Sequence, residues 1–129
     1  MRAYIKYILV AVGLMSFCAN TYAGDGNDLL SDCSAVEAFM DSKDLPEGNA
    51  TSGGICLGLI EGIKAMTHIA KLTGNGGVFS VCWPNNTTII NGQAVRIVLS
   101  YLRKNPKDLH TDRTYLVLSA FRDAYPCSD

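Results

Sequence analysis

Histidine, tryptophan and proline are scarce in this chain of 129 residues, which has two, one and four of them, and neither sign of charge is in excess. Eleven Lys and Arg against twelve Asp and Glu give a formal charge of −1. That leaves no basic surplus to track a phosphate backbone, which argues against nucleic-acid binding. His68 and His110 are the only histidines, and neither has a second histidine or a carboxylate at metal-ligand spacing, so no metal site is expected. No GxSxG turn presents a serine nucleophile. No glycine-rich segment joins a strand to a helix, so Gly74-Asn75-Gly76-Gly77 reads as a turn and not as a phosphate cradle. No cofactor is expected, and the chain does not read as an enzyme.

Long apolar runs are also missing, with one exception at the front. Residues 1–23 carry Arg2 and Lys6, then the apolar stretch Tyr7 to Cys18, then Thr21-Tyr22-Ala23. This three-part layout is that of a secretory signal peptide, with cleavage expected after Ala23. The apolar stretch falls short of the ~20 residues that span a bilayer, so no membrane association is expected after cleavage. Removing Arg2 and Lys6 and no acid would take the formal charge from −1 to −3. A single domain covering residues 24–129 remains.

Cleavage also removes Cys18, which turns five cysteines into four: Cys33, Cys56, Cys82 and Cys127. An even set in an exported chain reads as two disulfides, because the compartment is oxidising and a short chain gains from cross-links. None of the four forms a CxxC pair, so neither a thioredoxin-like role nor a zinc knuckle is supported.

The remaining signal is helical. Asn27 or Asp28 can cap a first helix with Leu29, Leu30, Cys33, Val36 and Met40 on one face, ending near Asp41. Residues 42–53 have loop composition, with Pro46, Asn49 and Ser52. A second helix is predicted from about Gly54 to Leu72, with Cys56, Leu59, Ile60, Ile63, Met66, Ile69 and Ala70 facing the core and Gly74 stopping it. Gly54, Gly58 and Gly62 line one stripe of it at fourth-residue spacing, which suits close approach by another helix. Thr73 to Asn91 reads as a long connector. The third helix starts near Asn91 or Gly92 and buries Val95, Val98, Leu99 and Leu102 before Asn105-Pro106 ends it. The fourth starts near Thr111 or Asp112, packs through Val117, Ala120, Phe121 and Ala124, and stops at Pro126. No convincing strand alternation occurs. The expected fold is all-α: a small four-helix domain with long connecting loops and two intrachain disulfides.

That layout favours one disulfide pairing among three. Helices three and four, joined by a short turn, should lie antiparallel, which brings Cys82 toward Cys127 and leaves Cys33 with Cys56. Crossed pairings such as Cys56 with Cys82 stay open. Each bridge is worth about 3 to 4 kcal/mol in the chain-entropy view. A rigid, exported, non-catalytic domain of this kind works by binding. Taken by itself, this reading fits a periplasmic helical chaperone or small-ligand carrier.

Particular residues narrow the choice. Gly26-Asn27-x-Leu29, Cys33, Cys56-Leu57-Gly58-Leu59-Ile60-x-Gly62 and Val81-Cys82-Trp83-Pro84 stand in order in the first two thirds of the chain. Tyr101-Leu102, Asn105-Pro106 and Ala124-Tyr125-Pro126-Cys127 follow. With this set the chain resembles the Rap/Tai family of type VI secretion immunity proteins over nearly all of residues 24–129. Leu59 and Tyr125 depart from the aromatic and the phenylalanine usual there, and both keep bulk and apolar character.

The resemblance implies a periplasmic, helical, often dimeric protein. Its partner would be a cognate papain-like cysteine amidase effector that cuts the peptidoglycan stem between D-glutamate and meso-diaminopimelate. It would protect the cell by covering that enzyme's cleft. To the homodimer the residues themselves add only apolar helix positions outside the expected core: Ile97, Tyr101, Tyr115 and Leu118. A cleft-blocking loop should be exposed, polar and braced at both ends. The favoured segment is 104–113, presenting Lys104, Asn105, Lys107, Asp108, His110 and Asp112. The glycine-rich segment 74–80, braced only by Cys82, comes second.

Overall fold

A computed structural model describes residues 24–42, 50–85 and 88–128, so the expected signal segment lies outside the described residues. Four α-helices follow one another: α1 (Gly26–Ser42), α2 (Ala50–Leu72), α3 (Asn91–Lys104) and α4 (Arg113–Ala124). Two short 3-10 turns, Gly77–Phe79 and Pro106–Asp108, punctuate the connectors. The described residues contain no strand, only an isolated antiparallel bridge between Asp25 and Asp112. The all-helical expectation therefore holds.

The starts of two helices differ from those read in the sequence. Asp25, and not Asn27 or Asp28, caps α1: its Oδ1 accepts the backbone N–H groups of Asn27 at 2.8 Å and Asp28 at 3.2 Å. Asp28 reaches back with Oδ2 to the Asp25 N–H at 3.2 Å, which completes a reciprocal cap. α2 begins at Ala50, so Thr51, Ser52 and Gly53 are helical although their composition suggests loop. Gly53 is buried against Val36 of α1, and that packing outweighs the weak local preference.

α3 carries the centre of the core. Ala94, Val95, Val98, Leu99 and Leu102 are fully buried, and the other three helices all touch this helix. Leu29, Cys33 and Val36 join the same core from α1, Cys56, Ile60 and Ile63 from α2, and Leu116, Val117, Ala120 and Phe121 from α4. Leu118, expected outside the core, is only 7% exposed and belongs to it, whereas Ala124 is exposed. Met66 and Ile69 of α2, expected to face inward, are exposed, and Thr67 is buried in their stead.

Both favoured disulfides are present, Cys33–Cys56 and Cys82–Cys127. The first joins α1 to α2 from inside the core. The second, with the Cys82 N–H donating to the Tyr125 carbonyl at 3.0 Å, ties the approach to α3 to the end of α4, as antiparallel neighbours require. Two ion pairs stitch α1 to α3 at the surface: Arg103 grips Glu37 through both terminal guanidinium nitrogens, at 2.6 and 3.3 Å, and Arg96 meets Asp41 at 3.0 Å.

Two predictions follow from this packing. A Cβ on Gly26 would overlap the Leu116 side chain and stand 2.9 Å from the Leu109 backbone, which cannot yield. Gly26→Ala should therefore cost about 2 kcal/mol in urea unfolding, the range of an overpacked site. Hydrogen bonding from Arg103 holds the Glu37 carboxyl below its ordinary pKa, against a smaller opposing effect of burial. Its contribution, less than about 1 kcal/mol for so exposed a pair, is then complete above the usual glutamate range and fades as pH falls through the lowered value. The stability difference between wild type and Glu37→Gln, measured by urea unfolding, should shrink as pH drops below about 4.

Candidate functional site

The segment between α3 and α4 is built from both ends inward. Lys104 is the last residue of α3 and is exposed. Asn105 closes that helix: its backbone N–H and its side-chain amide both donate to the Tyr101 carbonyl, at 3.1 and 2.9 Å. Pro106 opens the 3-10 turn, where its fixed φ is already suitable and its missing N–H costs nothing. The Asp108 N–H donates to the Asn105 carbonyl at 3.0 Å, and the Thr111 N–H to the Asp108 carbonyl at 2.9 Å. Asp112 caps α4, its Oδ1 accepting the N–H groups of Thr114 at 2.9 Å and Tyr115 at 3.1 Å.

A third support comes from the far end of the sequence. The Gly26 N–H donates to the Thr111 carbonyl at 3.1 Å, and the Asn27 side-chain amide to the Leu109 carbonyl at 3.3 Å. Leu109 itself packs against the core. The segment is thus held by α3, α4 and the first turn of α1. The six residues singled out in the sequence divide accordingly. Asn105 and Asp112 spend their side chains on helix ends, while Lys104, Lys107 and His110 are exposed and Asp108 is half-buried. None of the last four makes a side-chain hydrogen bond or ion pair among the described residues.

The 74–80 segment is less loosely attached than its composition suggests. Gly74 and Gly77 have positive φ, of 70° and 42°, where glycine is at ease. Between them and Cys82, however, Phe79 packs on the core and Val81 is buried. Only Val78, at the tip, presents a large apolar side chain to solvent.

Trp83, in the stretch that reads as a connector, is a structural residue. Its indole N–H donates to the Thr67 hydroxyl at 3.1 Å, and its ring lies 5.0 Å from Phe121 and 5.2 Å from Tyr125. Only the burial of a threonine on the inward face of α2 could have signalled this, and residue type alone does not show it.

As for chemistry, all four cysteines present in residues 24–128 are oxidised in disulfides. No group of three or more His, Cys, Asp or Glu that could hold a metal occurs among the described residues. A groove of about 590 Å³ between α4 and the 77–80 turn, with Tyr101 of α3 at its side, is lined by Ser80, Tyr101, Ser119, Arg122 and Asp123. No helix among the described residues is long and apolar enough to cross a membrane, and the two disulfides suit a secreted or periplasmic protein.

No curated protein and no solved structure matches the chain. The family model of the Rap1a immunity proteins matches residues 25–127, which runs from the cap of α1 to the last cysteine. The span takes in both disulfides, all four helices and the braced segment between α3 and α4, and on that match the chain belongs to the Rap1a immunity protein family.

Proposed function

We propose that the protein is a periplasmic immunity protein that inhibits a peptidoglycan amidase delivered by type VI secretion. It does so without chemistry of its own, by laying the 104–113 segment across the enzyme's active-site cleft. The observation that carries this reading is the three-sided support of that segment. A loop already held in one conformation loses little entropy on binding, and exposed Lys104, Lys107 and His110 are available to a partner. Residues 1–23 would direct export, and the mature chain would begin at Gly24. Membership of an immunity family supports a binding role. The amidase as target comes from the resemblance of the sequence motifs.

Replacing Lys107, Asp108 and His110 together by alanine should weaken amidase inhibition at least tenfold, about 1.4 kcal/mol, with little change in thermal stability. Full inhibition by that triple variant would exclude this segment and move the contact to residues 74–80.

A homodimer is part of the same proposal, and its most suitable surface is on α2. The residues expected to supply it mostly do not: Leu118 is buried, Ile97 and Tyr101 pack against the core, and only Tyr115 is exposed. α2 instead carries Ile55, Gly58, Gly62, Ala65, Ile69 and Leu72, all exposed, in the alternating three-and-four spacing of a coiled-coil seam. A Cβ on Gly58 or Gly62 would meet nothing, so a second helix can approach closely there. Gly62→Glu should leave the helical content intact, since glutamate is the better helix former. It should convert the dimer to monomer in sedimentation at micromolar concentration. A wild type that sediments only as monomer would remove this part of the proposal.

A further inference from the structure

Between the second half of α2 and the segment after Val81 lies a cavity of about 440 Å³ that the inhibitory reading does not use. One wall is a single face of α2, where Lys64, His68 and Lys71 recur at i, i+4 and i+7 and so stand one above another. The other wall is Trp83, with Asn85 and Ile89 beside it. No Asp or Glu among the described residues lines the space.

The walls are fixed in place. Thr67 donates its hydroxyl hydrogen to the Lys64 carbonyl at 2.8 Å and accepts the Trp83 indole N–H, which couples the basic face directly to the aromatic wall. Phe121 and Tyr125 pack against the same indole, so it cannot swing away without losing three contacts. Lys64 is held by Glu61 at 2.8 Å and by Asn91 at 3.1 Å. His68 and Lys71 make no side-chain hydrogen bond or ion pair among the described residues. Lys71, in the last turn of α2, complements the carbonyl end of the helix. That explains one basic residue, not three on one face in a chain whose net charge is negative.

Basic groups of which two are unengaged, a rigid aromatic wall, an amide and no carboxylate among the described lining residues complement a ligand that carries a carboxylate on a short apolar or peptide stem. The carboxylate would pair with Lys71 and accept the ring N–H of His68. The stem would lie on the indole and Ile89, with Asn85 placed to bond a peptide group. The volume lies within the range of small-ligand sites. We propose that the cavity between α2 and Trp83 binds a carboxylate-bearing peptide, supplied either as a free fragment or as an acidic side chain of the partner enzyme.

Trp83 is the only tryptophan in the chain, so its emission reports occupancy. Titration of the intact protein with N-acetyl-Glu-Glu at low ionic strength should change that emission saturably, with half-saturation on the order of 1 mM or tighter. The Gln-Gln counterpart should have no effect. Lys71→Gln, at an exposed position, should weaken the acidic peptide about fivefold, and so should raising salt to about 0.5 M. A response that does not saturate, an equal response to the Gln-Gln peptide, or unchanged affinity in Lys71→Gln overturns the proposal. This titration needs no amidase, so its outcome is independent of the immunity reading. The same variant then separates the two sources: weakened inhibition of the amidase assigns the carboxylate to the enzyme, and full inhibition assigns it to a free peptide.

Discussion

Burial of one stripe of α3 is the interaction on which the rest of the bundle depends. Five of its side chains are fully withdrawn from water, and the other three helices all contribute to covering them. At about 25 cal/mol per Å² of apolar surface, such a stripe outweighs any single polar contact in the molecule. The ion pairs of α1 with Arg96 and Arg103 sit at the rim of this contact, where they set the lateral register of α1 more than they hold it down. The two disulfides work on the other side of the equilibrium, by shrinking the unfolded ensemble of a chain with little core.

The apolar face of α3 was plain in the sequence because that helix is polar elsewhere: Gln93, Arg96, Ser100 and Arg103 leave one choice of inward side. α2 offers no such contrast. Outside the stripe of Lys64, His68 and Lys71 it carries apolar or small residues on two faces, so periodicity cannot say which of them meets the core, and Met66 and Ile69 lie on the outer one. Thr67, the residue that does point inward, is satisfied by a tryptophan 16 positions away, a pairing invisible to any local pattern. The disulfide pairing was readable for the opposite reason, since a short connection between two helices nearly dictates which ends meet.

The candidate site was legible as a segment and not as a mechanism. Composition pointed to residues 104–113 as polar and placed between helices. It did not show that Asn105 and Asp112 finish those helices, or that Gly26 and Asn27 reach across from α1 to hold the turn. That last contact needs a residue without a side chain at the point of closest approach, and Gly26 opens the run of residues that carries the family resemblance. The bracing therefore comes from residues 82 positions away from the loop in sequence. A change in the first turn of α1 can loosen the 104–113 segment without touching it.

The positions of the cysteines along the chain also impose an order in time. Cys33 and Cys56 are 23 residues apart and join the first two helices, whereas Cys82 finds its partner 45 residues later, beyond α4. An exported chain meets the oxidising compartment from its N-terminal side, so the second bridge becomes chemically possible only once the stretch from Cys56 to Cys127 has followed. During that interval Cys82 is the sole thiol between α2 and α3 without its native partner, and the earlier pair is already in a position to be closed. A chain oxidised as it emerges would thus make the inner bridge first, and the outer bridge would seal a bundle whose helices are all present.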